Sequence, residues 1–175
     1  MKTKILILED DPILLETLQD EFESIGYLVD IAKHGNEALE KTYNAKYDIY
    51  IFDIQVPYIN GLSILDELRK SSDKTPTILL TSKNSDEDKI RGFQKGCDDY
   101  ITKPFSLQEL QYRIKAILNR TKKQSEPISI DNITVDLKKN IFQIDGNDIQ
   151  IDKKTLEILH LFITNNNTLF SYEDI

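Results

Sequence analysis

Three consecutive carboxylates, Glu9, Asp10 and Asp11, follow the four apolar residues Ile5 to Leu8 in the stretch KTKILILEDDPILL. Folding alone gives no reason for that charge. A further acid, Asp53, ends the apolar run that begins at Ile49, Thr81 and Ser82 follow the run Ile78 to Leu80, and Lys103 comes just after Tyr100 and Ile101. Carboxylates held within a few ångströms repel unless a cation joins them. All-oxygen ligation with several waters suits Mg²⁺, and no histidine or cysteine adjoins these acids to favour zinc. Asp53 is the best candidate nucleophile, because a carboxylate can attack phosphorus to give an acyl phosphate. It needs no base, being ionised at neutral pH. Mg²⁺ would bridge Asp10, Asp53 and an incoming phosphoryl oxygen, with Lys103 paired to a second oxygen and the Thr81 hydroxyl donating to a third.

The elements between these residues explain how they could meet. Ile5 to Leu8, Ile49 to Phe52 and Ile78 to Leu80 are nearly unbroken apolar runs, as expected for strands covered on both faces. Tyr27 to Ala32 alternates instead, with Asp30 between Val29 and Ile31, which suits an edge strand. Helix-period segments begin near Pro12, Asn36, Gly61, Ser85 and Ser106. Ser106 and Glu109 form a capping-box pair, with Phe105 and Leu110 placed to staple the helix start. Asp11 followed by Pro12 is an N-cap signal, so Asp11 reads as structural where its two acidic neighbours do not. Five strand and helix pairs in alternation imply an α/β, doubly wound parallel sheet. Ligands bind such sheets outside the carboxyl ends of the strands, where Glu9, Asp10, Asp53, Thr81, Ser82 and Lys103 all fall. A solvated acidic loop explains any single acid as well. It does not explain acids, a threonine and a lysine at four strand ends.

The chain has 175 residues and a formal charge of −8, so it does not coat nucleic acid or anionic membrane with its whole surface. A single cysteine, Cys97, and the absence of any signal-like or spanning apolar stretch fit a cytoplasmic protein without membrane contact. The expected division is a first domain over 1–121, a polar linker over 122–127 and a second, incomplete domain over 128–175. In the last part, strands are expected at Ile128 to Ile130, Ile133 to Asp136, Ile141 to Ile144 and Ile149 to Ile151, with Asp145-Gly146-Asn147 as a hairpin turn. A helix fits Asp152 to Thr164.

The segments ILILEDD, IFDIQVPYINGL, LLTSK and GCDDYITKPFSLQEL, in this order and spacing, resemble a two-component response regulator, of the winged-helix transcription-factor subfamily (OmpR/PhoB type). The resemblance covers residues 2 to 121 and implies a flavodoxin-like receiver with strand order 2-1-3-4-5. It implies that Asp53 is the phosphoacceptor and that Asp10, Asp53 and the backbone carbonyl of Gln55 ligate Mg²⁺, with Glu9 acting through a water. Lys103, followed by a Pro104 whose peptide bond is usually cis in the family, matches the phosphate-binding lysine, and Thr81 and Tyr100 match the switch pair. Ser82 and Cys97 stand where alanine is commoner.

The same resemblance implies a sensor histidine kinase as partner. It also implies a homodimer formed through the family's fourth helix, fifth strand and fifth helix, with Lys89, Asp98, Asp99, Glu109, Arg113 and Arg120 at the charged positions. Residues 109, 113 and 120 share one helical face by spacing. Residues 128 to 175 resemble the opening of a winged-helix effector domain, a four-stranded antiparallel sheet and a first helix, stopping at Ile175 before the recognition helix. DNA is therefore expected as a partner only of the complete effector domain. The alternative is a phosphorylation-switched interaction module that does not bind DNA. An aspartate-nucleophile phosphohydrolase is disfavoured, because Gln55 stands where that class carries a second Asp.

Overall fold

The computed structural model describes residues 2–82, 92, 94–125, 127–137 and 139–164. The helix expected near Ser85, with Lys89 on it, and the final stretch NNNTLFSYEDI lie outside the described residues. The apolar runs form strands β1 (Lys4–Leu8), β2 (Leu28–Ala32), β3 (Ile49–Asp53), β4 (Thr77–Thr81) and β5 (Asp99–Thr102). All pair in parallel, in the order β2-β1-β3-β4-β5, so the alternating strand does take an edge.

Period-two alternation divides the core between the two faces of this sheet. Ile5, Ile7, Ile49, Ile51, Ile78, Leu80 and Ile101 pack with Leu15, Leu18 and Phe22 of α1 (Pro12–Ser24) and with Leu110, Ile114 and Ile117 of α4 (Leu107–Ser125). The intervening Leu6, Leu8, Tyr50, Phe52, Leu79 and Tyr100 pack with Ala38 of α2 (Gly35–Asn44) and with Ile64, Leu65 and Leu68 of α3 (Gly61–Lys70). Burial on both sides is why these strands read as continuous apolar runs.

Local signals account for the helix starts. Asp11 caps α1, its carboxylate accepting from the Ile13 and Leu14 N–H groups at 2.9 and 3.3 Å, with Pro12 first in the helix. Ser106 accepts from the Glu109 N–H at 3.0 Å, but only that half of the expected capping box forms. The Glu109 carboxylate instead accepts from Arg113, 2.8 Å away.

The chain divides between Leu118 and Asn119 into two compact units. Helix α4 itself runs on to Ser125, so the stretch expected as linker is largely helical. Lys122, Lys123 and Gln124 are good helix formers, and Pro127 is the first breaker after the helix start at Leu107. The second unit holds a four-stranded antiparallel sheet of β6 (Ile128–Ile130), β7 (Ile133–Asp136), β8 (Ile141–Ile144) and β9 (Asn147–Asp148). A helix, α5 (Lys153–Thr164), follows, with Leu156 and His160 buried.

The last strand corrects the expectation of Ile149 to Ile151. Asp145 and Gly146, with φ of 53° and 77°, make a two-residue hairpin loop, so Ile144 pairs directly with Asn147 and the strand begins earlier. Ile149 only extends the ladder, donating to the Phe142 carbonyl at 2.8 Å. No helix among the described residues is long and apolar enough to cross a membrane.

Candidate functional site

Parallel pairing aligns the carboxyl ends of four neighbouring strands. Leu8 pairs with Phe52, Asp53 with Leu80 and Thr81 with Thr102, so the residues at or just after these positions share one rim. Glu9 and Asp10 follow β1, Asp53 ends β3, Thr81 ends β4, and Lys103 follows β5. The Lys103 backbone N–H donates to the Thr81 carbonyl at 2.7 Å, fixing the last of these to the fourth strand. The Lys103–Pro104 peptide is cis, as the resemblance implied.

The two deepest acids are Glu9, 1% exposed, and Asp53, 3% exposed. Asp10 is exposed. One carboxylate oxygen from each lies within 4.8 Å of the others. Three carboxylates with no nitrogen or sulfur donor among them form an acidic pocket of the type that binds Mg²⁺. Gln55 donates its backbone N–H to Asp53 Oδ1 at 2.8 Å, so the chain beyond β3 curls back over the acid. Gly61 lets α3 start against the same strand end, since a Cβ there would lie 2.3 Å from the Asp53 carbonyl oxygen.

Lys103 makes a contact that spacing alone did not indicate. Its ammonium donates to Glu9 Oε2 at 2.6 Å and also to Asp53 Oδ2, bridging the two buried acids. Burial pulls the lysine pKa down, and the bonds to Asp53 and Glu9 more than offset that, giving a net upward shift. Glu9 is held above its ordinary value, chiefly by burial and then by the Asp53 charge, against the opposing pull of Lys103.

The raised Glu9 value carries a pH consequence. The folded protein holds this proton more tightly than the unfolded chain, so the stability from it is complete below pH 4.5 and is lost as pH rises through the folded value. Glu9→Gln should therefore raise the urea midpoint of the metal-free protein at neutral pH and flatten its decline above 4.5. A pH series in which variant and parent decline in parallel would contradict this assignment.

Thr81 and Tyr100 are both buried, the ring of Tyr100 packing in the cluster that holds Leu79 and Cys97. Ser82 and the Gln55 side chain are exposed at the same rim. Burial pushes the Cys97 thiol up to about 12, so it is not a nucleophile at neutral pH. Of the charged positions implied for a dimer, Arg113 bridges Asp99 and Glu109, each at 2.8 Å, on the surface of β5 and α4. Asp98 is engaged within its own chain, accepting from the Thr77 N–H at 2.9 Å and lying 3.7 Å from Arg69. Arg120 is exposed on α4.

Comparison with known proteins agrees with this geometry. The response regulator receiver domain family matches residues 5–115. Response regulator ArlR of Staphylococcus aureus (strain Mu50 / ATCC 700699) is 38% identical over 175 residues, covering 99% of this chain and 78% of that protein. The Francisella response regulator 1452 receiver domain is 38% identical with a TM-score of 0.66, covering 69% of this chain and 99% of that one. Response regulator DrrB of Thermotoga maritima, an OmpR/PhoB homolog, is 28% identical with a TM-score of 0.65 and covers 99% of this chain and 78% of that one. With the five-stranded receiver sheet, the acidic pocket at its rim and the small antiparallel sheet that follows, the chain belongs to the response regulators of the OmpR/PhoB type.

Proposed function

We propose that the chain accepts a phosphoryl group on Asp53 from a sensor histidine kinase, in a reaction that needs Mg²⁺, and that the acyl phosphate switches its assembly. The observation that carries this reading is a buried aspartate at a strand end, bridged by Lys103 to a second buried acid and joined by an exposed third. Asp10, Asp53 and the backbone carbonyl of Gln55 would hold the cation, with Glu9 acting through a water. Bound there, it supplies positive charge to the phosphoryl oxygens.

The protein's own groups do the rest. An Asp53 carboxylate oxygen forms the new bond to phosphorus, and the donor leaves with the electron pair of the bond that breaks. Lys103 turns its ammonium from Asp53 to a phosphoryl oxygen, a small displacement because it already touches the attacking carboxylate. Thr81 donates its hydroxyl to another oxygen, and Ser82 stands beside it at the rim. As Thr81 moves toward the phosphoryl group, Tyr100 adjusts in the space behind it. Gln55, exposed next to the acceptor, tunes how long the acyl phosphate survives attack by water. Incubating the protein with Mg²⁺ and a small phosphodonor should add one phosphoryl group by intact mass, and Asp53→Asn should abolish the addition. Unchanged modification in that variant would overturn the site.

The consequence for assembly is a homodimer through β5, α4 and the family's fourth helix, whose segment with Lys89 lies outside the described residues. Asp98 just before β5, Asp99 on it, and Glu109, Arg113 and Arg120 on α4 offer both signs of charge, as a self-complementary two-fold contact requires. Phosphorylation should shift sedimentation toward the dimer, and Arg113→Ala should weaken that dimer roughly fivefold, the equivalent of about 1 kcal/mol for an exposed ion pair. Sedimentation that ignores phosphorylation would contradict the interface.

Through a winged-helix effector domain, the same switch would control DNA binding and transcription. One observation favours the alternative of an interaction module for the part described. The second unit sets Asp131, Asp145, Asp148 and Asp152 against Lys139, Lys153 and Lys154, a surface unsuited to a phosphate backbone.

A further inference from the structure

Strand β2 brings no acid to the rim, yet the corner that follows it grips the loop beyond Asp53. The Gly35 N–H donates to the Pro57 carbonyl at 3.2 Å. A Cβ on Gly35 would lie 1.8 Å from the Ile59 carbonyl oxygen and 2.8 Å from the Ile59 Cβ, an approach that only glycine permits. Between those two residues stands Tyr58, a bulky residue at φ 69°, which is 80% exposed and whose ring meets His34 edge to face at 5.2 Å. A bulky residue in the left-handed region persists only where its surroundings impose it.

His34 is itself fixed. It is the N-cap of α2, its Nδ1 accepting from the Glu37 N–H at 3.2 Å, while the Glu37 carboxylate accepts from the Lys33 N–H at 2.9 Å. The other end of the loop is equally constrained. Ile54 donates to the Leu80 carbonyl at 2.9 Å and accepts from Gly61 at 3.3 Å. Residues 54–61 are therefore clamped at three places, by β4, by the start of α3 and by the corner at His34 and Gly35. Gln55, whose carbonyl is the one backbone ligand in the reading above, lies between the first clamp and the last.

We infer that His34 and Gly35 are positioning residues for the cation: their contacts with Pro57, Tyr58 and Ile59 set where the chain after Asp53 presents the Gln55 carbonyl. This rests on the Mg²⁺ reading for its consequence, and on the contacts alone for the placement of the loop. The corner contributes no ligand. It fixes the course of the segment that does.

Two variants separate positioning from simple packing. Gly35→Ala forces the corner and the loop apart and should raise the Mg²⁺ dissociation constant, read by calorimetry, about tenfold, as loss of a ligand's supporting contact does. His34→Asn keeps a strong N-cap acceptor while removing the ring that backs Tyr58. It should leave the melting temperature unchanged, raise the dissociation constant about threefold, and speed exchange of the Gly35 and Gly61 amides, which donate to Pro57 and Ile54, in the metal-free protein. Wild-type affinity together with wild-type exchange in His34→Asn would overturn the inference, even if Gly35→Ala fails to fold. Should the parent chain bind no Mg²⁺, the functional reading fails instead, and exchange at Gly35 and Gly61 still decides the placement.

Discussion

In the metal-free protein, Lys103→Met is expected to lower stability by about 3 kcal/mol and to make the protein far more responsive to Mg²⁺. Glu9 and Asp53 have side chains only 1% and 4% exposed, and Lys103 is their shared cation. Removing one partner of a buried ionic group leaves charge in a low dielectric with nothing to answer it. Glu9 already sits above its ordinary value with the lysine present, so without it the proton would be taken up at higher pH still. The exposure of Asp10 shows the pocket opening to water, which holds the effect at the lower end of the range for buried pairs. A divalent cation bound by the same acids would replace the lost charge. Mg²⁺ should therefore raise the urea midpoint of Lys103→Met more than that of the parent, through binding to the folded state alone. Equal midpoints for parent and variant without metal would show that the bridge carries no stability.

The second large effect is a contrast between neighbours. Asp10→Ala should abolish Mg²⁺ binding and leave the metal-free fold as stable as before or more so, because it removes one of three like charges held within 4.8 Å. Asp11→Ala should do the reverse, keeping the affinity while costing about 1 kcal/mol, because its carboxylate caps α1. Calorimetric titration and urea denaturation of the two variants side by side distinguish the roles. Loss of Mg²⁺ binding in Asp11→Ala, or its retention in Asp10→Ala, would reverse the assignment.

The receiver was legible in the sequence because burial on both faces leaves little choice of residue. Ile5 to Leu8 and Ile78 to Leu80 can be apolar throughout only if helices cover both sides, and acids just beyond such runs must lie at a rim. Side-chain partners were less legible. Spacing pairs Glu109 with Ser106, yet its carboxylate goes to Arg113, which also holds Asp99. A reciprocal cap and an ion pair four residues away are equally allowed by sequence, and the arginine offers the stronger partner. The Lys103 bridge needed contacts across 94 and 50 residues of chain, which no local pattern encodes. The one available signal was charge balance, with three acids and, among the described rim residues, the one cation Lys103. The grip of Gly35 on Ile59 left no trace beyond a glycine at a helix start, where glycine has several ordinary uses. The early start of β9 turned on whether Asn147 belongs to the turn or to the strand, and positive φ at Asp145 and Gly146 alone completes the loop.

The phosphoryl group is expected on one carboxylate, that of Asp53. Borohydride reduces an acyl phosphate to the corresponding alcohol and leaves ordinary carboxylates untouched. Protein incubated with Mg²⁺ and a phosphodonor, then reduced and digested, should yield homoserine at position 53 and nowhere else. Reduction at Glu9 or Asp10, or a phosphorylated protein with Asp53 intact, would place the phosphoryl group elsewhere.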